Sequence, residues 1–279
     1  MSTENIKKAV CWDSFILFTL KKKQEERYFH DTDTQELFDA LLTTAEERIE
    51  SIQKGQQYWR AQLGCAREPA RDLDGQIIDY NIIPYPPKRM KPLADKSCEG
   101  RINPKGIPYL YLATDEKTAV SEVRPWVSSN VTVVQFETVK ELQIVDCSSC
   151  EINPMNVTVA DLDKLWKLKQ PTPEEAIKTI WLWVDKEFSE PVDRTDNTAD
   201  YVPTQIVAEL FKTNGFDGIK YKSLFNNGEN LALFDIDAAE QIGDGKVFQV
   251  TKINIDFEQK WPFVFKKKEK QCRIKKDTG

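Results

Sequence analysis

Apolar side chains recur every three or four positions in the first fifth of the chain. Leu37, Leu41 and Ile49 belong to one such stripe, and acidic residues occupy the opposite side. This spacing is typical of an amphipathic helix. The pattern predicts a helix over 34–54, which Gly55 ends.

Shorter apolar runs predict strands, and two further helices carry capping signals. Thr114-Asp115-Glu116 offers a hydroxyl and acids at a helix start, and Pro125 sets its end. Thr172-Pro-Glu-Glu is a capping box with proline at the first helical position. The predicted strands are 58–63, 109–113, 131–136, 142–145, 218–222, 231–234 and 247–255, and the later helices are 172–188 and 204–213.

The order of these elements indicates the fold class. Strands and helices follow each other without regular alternation, which favours an α+β fold over a doubly wound sheet. Residues 66–106 are rich in proline and charge, and they read as one long loop. Loops of that length in a compact domain are often functional.

Composition and charge narrow the protein class. The chain has 279 residues, of which 40% are apolar and 30% charged, which is typical of a globular protein. The apolar run 15–20 is too short to cross a bilayer, and the lysines follow it rather than precede it. We therefore expect a cytoplasmic protein without membrane contact. Residues 260–279 form a basic end that is either simply solvated or binds an acidic partner or nucleic acid.

The sequence lacks the residues that several common kinds of functional site require. His30 is the single histidine, which disfavours histidine triads and histidine-rich metal centres. Cys147 and Cys150 form an isolated CxxC with no second pair, a weak signal for zinc or redox chemistry. No phosphate-binding GxxxxGK[ST] or GxGxxG motif is present. We expect no metal.

Three separated motifs resemble the RES domain family. Residues 100–106 read Gly-Arg-Ile-Asn-Pro-Lys-Gly and precede Leu-Tyr-Leu-Ala at 110–113. The family is named after an arginine, a glutamate and a serine, which match Arg101, Glu122 and Ser223. Further matches are Pro-Thr-Gln at 203–205, Gly-Phe-Asp-Gly-Ile at 215–219 and Asn-Leu-Ala-Leu-Phe at 230–234.

The resemblance divides the chain into three parts. Residues 56–256 correspond to a RES domain, 1–55 to an added helical N-terminal region, and 257–279 to a basic tail. The first region and the long loop before Arg101 depart from compact members of the family. These additions leave the partner and the target open.

The resemblance also implies a fold and an activity. It implies an ADP-ribosyltransferase-like mixed β-sheet core with flanking helices. RES proteins typically act as toxins beside a DNA-binding Xre-type antitoxin. They consume NAD⁺ by hydrolysis or phosphorolysis, or they transfer ADP-ribose to a protein target. The expected partners are therefore NAD, an antitoxin and a possible protein target, with nucleic acid reached only through the antitoxin.

Cleavage of the nicotinamide–ribose bond needs few groups. The leaving group is neutral and the transition state resembles an oxocarbenium ion, by analogy with glycoside hydrolysis. Arg101 suits the pyrophosphate, since a guanidinium grips phosphate with two hydrogen bonds. Glu122 suits the developing positive charge on the ribose. The structural alternatives are a surface arginine for Arg101, and for Glu122 a solvated helix glutamate paired with Lys117 or Arg124.

The remaining candidates are polar or aromatic residues near the motifs. Tyr111 shares a strand face with Tyr109 and either stacks on nicotinamide or is a core tyrosine. Ser223 either binds ribose or phosphate or is a turn residue. Arg60 and Asn230 are further candidates for NAD binding, and both also suit purely structural roles.

Two other functions compete with NAD⁺ cleavage. A non-enzymatic interaction module would use the N-terminal helix and the basic tail, and Glu122→Ala would leave its activity unchanged. A nucleic-acid enzyme rests on the basic tail alone and predicts strongly salt-dependent binding.

Overall fold

The computed structural model describes residues 9–93, 97–148, 158–190 and 198–255. The basic tail at 257–279 and Cys150 lie outside these ranges. No helix within them is both long and apolar enough to cross a membrane. The helices are α1 (Ser14–Gln24), α2 (Thr32–Ala45), α3 (Pro87–Met90), α4 (Glu116–Glu122), α5 (Val159–Leu168), α6 (Pro173–Ser189) and α7 (Val202–Thr213). The strands are β1 (Ile49–Ile52), β2 (Gln57–Leu63), β3 (Ala66–Arg71), β4 (Ile77–Ile83), β5 (Leu110–Ala113), β6 (Asn130–Thr138), β7 (Leu142–Asp146), β8 (Gly218–Lys222), β9 (Glu229–Leu233) and β10 (Ala239–Gln249).

Eight strands form one mixed sheet in the order β1-β7-β8-β9-β5-β2-β6-β10. Only β7 and β8 run parallel among these neighbours, and the other pairs are antiparallel. Strands β3 and β4 form a separate two-stranded hairpin. This mixed sheet with flanking helices confirms the predicted α+β class.

The sheet opens between β5 and β2. These neighbours share a single register pair, Trp59 with Ala113, whereas β2 and β6 pair over seven positions. The guanidinium of Arg60 donates a hydrogen bond of 2.8 Å from Nη1 to the Tyr111 carbonyl oxygen. That bond satisfies a backbone group which the interrupted ladder leaves free. Residues of β2 and β5 on both sides of this opening line a cleft.

The predicted helix over 34–54 is wrong after residue 45. Helix α2 ends at Ala45, a short 3-10 turn follows, and β1 then pairs with β7. Ile49 lies opposite Val145 in this pairing. The local spacing is helical, but β-branched residues that find a cross-strand partner favour a strand.

Two other sequence expectations need correction. The predicted loop over 66–106 contains the β3–β4 hairpin and helix α3. The last strand is Ala239–Gln249 rather than 247–255. Its sequence includes Gly243 and Gly245 and lacks a clean alternation, and a register shift between Ile242 and Lys246 interrupts its pairing with β6. Glycines of this kind read as a turn, and only the partner strand reveals the bulge.

The hydrophobic core lies on both faces of the sheet. One cluster packs α1, α2, α6 and α7 against the face that carries Tyr109 and Tyr111. A second cluster contains Leu110 and Leu112, and a smaller third one contains Ala61 and Val133. The predicted alternation along this strand is therefore confirmed. The division at residue 55 stays a prediction, although α1, α2 and β1 all contribute to this shared core or sheet.

Trp181 on α6 links helix α2 to helix α7. It is 1% exposed, stacks on Phe211, and donates a 2.9 Å hydrogen bond from Nε1 to Thr44 Oγ1. We expect Trp181→Ala to lower the free energy of unfolding by about 3–5 kcal/mol, because it leaves a large cavity. Urea unfolding measures this change. Trp126→Ala is the matched control, since Trp126 is 64% exposed, and an equal loss in both variants contradicts the prediction.

Candidate functional site

A cleft of about 870 Å³ lies where β5 and β2 separate. Its size is within the range of about 300–1,000 Å³ that is typical of ligand sites. Five of the six predicted site residues line it, and the sixth, Ser223, contacts one of them. The polar and aromatic lining residues are Trp59, Arg60, Gln62, Arg89, Cys98, Arg101, Tyr111, Glu122, Arg124, Tyr201, Tyr221 and Asn230.

Glu122 lies at the last position of α4 and accepts two hydrogen bonds on one oxygen. Ser223 Oγ donates to Glu122 Oε1 at 2.6 Å, and Asn230 Nδ2 donates to the same oxygen at 2.7 Å. Ser223 and Asn230 are buried. Within the described ranges, Glu122 Oε2 accepts no hydrogen bond. Glu122 also forms no ion pair there with Lys117 or Arg124, the pairing that the structural alternative predicts. The two donors therefore orient Glu122 and leave its second oxygen available.

The loop between β8 and β9 is fixed to the start of the helix that carries Glu122. Gly228 packs so closely on Thr118 and Asp115 that a Cβ atom would overlap both side chains. The helix cap is Asp115, whose carboxylate accepts from the backbone N–H of Thr118, rather than the Thr114 hydroxyl. Thr114 Oγ1 instead accepts from the Glu229 backbone N–H at 3.0 Å. These contacts hold the donors and the acceptor in one unit.

Arg101 lies on the loop before β5, and part of its guanidinium already has partners within the protein. Its Nη1 donates to the Phe188 carbonyl oxygen, and its guanidinium carbon lies 5.6 Å from the centre of the Tyr221 ring. Its Nε is buried and has no partner in the described ranges. A buried donor without an acceptor costs free energy, which makes this nitrogen a natural contact for an anionic ligand.

The first turn of α7 holds the Arg101 loop in place. Thr204 Oγ1 donates to the Arg101 carbonyl oxygen. Gln205 Nε2 donates to the carbonyl oxygens of Gly100, at 2.9 Å, and Asn103, at 3.2 Å. The Pro-Thr-Gln motif at 203–205 thus stabilises by direct contact a loop that lies about a hundred residues earlier in the chain.

Tyr111 is tied to the same loop through its hydroxyl. The Tyr111 hydroxyl donates to Asn103 Oδ1 at 2.8 Å and accepts from the Ile102 backbone N–H at 3.2 Å. Burial raises the pKa of this phenol far above its ordinary value. Tyr111 therefore stays neutral, anchors the loop and forms part of the cleft wall. Its stacking on nicotinamide stays a prediction.

Arg60 is a half-buried cation at the opening of the sheet. Burial lowers its pKa to about 10, so that it remains charged at neutral pH. Besides the bond to the Tyr111 carbonyl, its Nε is buried and has no partner in the part of the chain described. Its role is thus partly structural, and one nitrogen remains for a ligand.

Positive charge dominates the lining of the cleft. Four arginines line it, Arg60, Arg89, Arg101 and Arg124, against one carboxylate, Glu122. Salt bridges within the described ranges involve none of these four arginines. Over the same ranges, no three His, Cys, Asp or Glu side chains gather as a metal site. The arrangement suits an anionic ligand and places one carboxylate within reach of it.

Sequence reasoning missed several lining residues. Trp59 and Tyr221 supply aromatic surface, and Arg124 adds charge with a left-handed backbone, φ 47°. The alternation in 218–222 was a usable signal for Tyr221, because it places Ile219 and Tyr221 on one face. No local signal marks Trp59 or Arg89, since the strand opening brings them to the cleft.

Ser223 offers a test of the support around Glu122. We expect Ser223→Ala to reduce turnover at this site about tenfold with little change in KM, because a hydrogen bond to a charged group is lost. In a Glu122→Gln background the same change should have little further effect, since the two residues act as a unit. Steady-state kinetics of the single and double variants check this. Full additivity contradicts the supporting role.

No curated protein sequence matches the chain significantly. Among solved structures, the chain is similar to one from the M. tuberculosis MbcT–MbcA toxin–antitoxin complex, with 11% identity and a TM-score of 0.36 over 76% of this chain and 92% of the other. The RES domain family model matches residues 57–265, about three quarters of the chain. The chain therefore belongs to the RES domain family.

Proposed function

We propose that this protein cleaves the nicotinamide–ribose bond of NAD⁺ and acts as the toxin of a toxin–antitoxin pair. One observation carries the proposal: Ser223 and Asn230 hold Glu122 by one oxygen in the same cleft as Arg101. A carboxylate with a free oxygen and a guanidinium whose Nε is buried without a partner suit this reaction.

The cleft offers a place for each part of the dinucleotide. Arg101 has an unpartnered Nε, which suits a pyrophosphate oxygen. Glu122 Oε2 suits the nicotinamide ribose, because negative charge stabilises the carbon that becomes positive. Tyr221 and Trp59 line the cleft as aromatic surface for the flat rings.

The chemical step is a dissociative substitution. The C1′–N bond breaks, its electron pair returns to the pyridinium nitrogen, and neutral nicotinamide departs. The ribose then carries oxocarbenium character, which Glu122 stabilises electrostatically. An acceptor oxygen forms the new bond to C1′ and loses its proton. Water yields ADP-ribose, phosphate yields ADP-ribose 1″-phosphate, and a protein side chain yields an ADP-ribosylated target.

Family membership supports the proposed toxic role and the proposed partner. RES proteins typically stand beside a DNA-binding antitoxin, and loss of NAD⁺ or modification of a target stops growth. We therefore propose an Xre-type antitoxin as partner and the cytoplasm as the site of action. The competing function, a non-enzymatic interaction module, would use the N-terminal helix as a contact surface. The apolar face of that helix is not accessible, since Leu37, Phe38 and Leu41 of α2 are buried in the core.

Nicotinamide release tests the proposal. Purified protein is mixed with NAD⁺, and free nicotinamide is followed by chromatography. Release over many turnovers with ADP-ribose or its phosphate indicates hydrolysis or phosphorolysis, and stoichiometric labelling of one protein indicates transfer. A native protein that arrests growth without releasing nicotinamide or labelling a protein overturns the proposal.

A further inference from the structure

A second compartment adjoins the cleft on the β2 side. It measures about 390 Å³ and shares Arg60, Arg89 and Tyr111 with the cleft. We call it the annex, and its lining is Arg60, Gln62, Arg89, Lys91, Pro92, Leu93, Ser97, Cys98, Asn103, Tyr109 and Tyr111. Among these described lining residues, three are cations, Arg60, Arg89 and Lys91, and none is a carboxylate.

Two of the three annex cations have no acidic partner among the described residues. Lys91 already pairs with Asp237 at 2.9 Å and Glu240 at 2.6 Å. Arg60 and Arg89 make no salt bridge with the residues that the structure describes. The guanidinium of Arg89 lies 4.2 Å from the centre of the Tyr85 ring, which orients it without neutralising it.

Strand order gives the annex its place relative to the reacting end. Glu122 is held by Asn230 on β9 and by Ser223, which follows β8, and Arg101 lies against Tyr221 on β8. Strand β2 is three neighbours away from β8 in the sheet, and the opening between β5 and β2 lies between them. A dinucleotide whose nicotinamide ribose meets Glu122 therefore extends its adenosine half towards Arg60 and Arg89.

The positive charge in this region exceeds the negative charge of a pyrophosphate. NAD⁺ brings two phosphate charges, and the cleft lining brings four arginines against one carboxylate. We propose that the annex binds a phosphate monoester on the adenosine ribose, so that NADP⁺ is a substrate of this protein. The proposal rests on the proposed NAD⁺ cleavage. A bidentate guanidinium is well suited to such a dianion.

Paired kinetics test the assignment. We expect kcat/KM for nicotinamide release to be about tenfold higher for NADP⁺ than for NAD⁺, and Arg89→Ala to lower that ratio about tenfold. The ratio is independent of the fraction of folded protein. Arg67→Ala, an exposed arginine on β3, is the matched control and keeps the ratio. NAD⁺ cleavage without an NADP⁺ advantage overturns the annex and leaves the proposed function intact.

Binding provides a readout that is separate from turnover. Calorimetry with the Glu122→Gln protein compares ADP-ribose with its 2′-phosphorylated form, and we expect the latter to bind about tenfold more tightly through Arg89. Equal affinities overturn the proposal. Free inorganic phosphate is the other ligand that could supply a phosphate group to the annex. If inorganic phosphate speeds NAD⁺ cleavage in a way that depends on Arg89, and NADP⁺ shows no advantage, the annex binds free phosphate. The NADP⁺ assignment then fails.

Discussion

We expect Glu122→Gln to reduce kcat for nicotinamide release by about 10²–10³-fold, the range for loss of one transition-state stabiliser. The amide keeps the size of the side chain and still accepts hydrogen bonds from Ser223 and Asn230. It lacks the negative charge that opposes the charge on the ribose. KM for NAD⁺ should change little, because the lost interaction develops only in the transition state.

The control for this change is another glutamate on an exposed strand. Glu68 lies on β3 in the hairpin outside the large sheet, and Glu68→Gln should retain normal turnover. Stopped-time assays of nicotinamide at saturating NAD⁺ compare both variants with the unaltered protein. A Glu122→Gln protein that retains more than about a tenth of the rate contradicts the catalytic assignment.

Arg101→Lys should weaken NAD⁺ binding by about 10–100-fold, seen as a raised KM. Lysine keeps the charge but has no fork, so it cannot bind Phe188 O and a phosphate oxygen in the same geometry. A net loss of one or two hydrogen bonds to a charged group gives an effect of that size. An unchanged KM is the result that removes Arg101 from the binding site.

The matched control for Arg101 separates site geometry from general charge. Arg67→Lys makes the same substitution on exposed strand β3 and should leave KM unchanged. Thermal unfolding of both variants distinguishes a local effect from loss of fold, since the Arg101 loop is also held by Thr204 and Gln205. A KM change with a normal melting temperature assigns the effect to binding.

Most of what the sequence predicts about the site comes from the motif residues. Arg101, Tyr111, Glu122 and Asn230 line one cleft, and Ser223 contacts Glu122, although the chain separates them by up to 129 residues. Their types and order, not their local secondary structure, indicated that they belong together. Their functional roles stay predictions until kinetics are measured.

Long-range pairing decided what the sequence did not reveal. Ile49 to Ile52 has helical spacing next to α2, yet pairing with β7 makes it a strand. The same limit applies to β10, whose glycines read as a turn until β6 supplies a partner. Local patterns do not encode the distant strand that completes the ladder.

The supporting contacts were equally hidden. Asn103 and Gln205 belong to the quoted motifs, but the motifs do not show that these two residues fix the Arg101 loop through Tyr111 and Gly100. Arg60 depends on the gap between β5 and β2, a property of the whole sheet. Such roles arise only when separate segments meet in the folded chain.

A crystal structure of the Glu122→Gln protein with NAD⁺ tests the central claim most directly. The account predicts intact NAD⁺ in the cleft, with the nicotinamide ribose against residue 122 and the pyrophosphate on Arg101. NAD⁺ bound elsewhere on the protein, or lying in the cleft with its nicotinamide ribose far from residue 122, contradicts it.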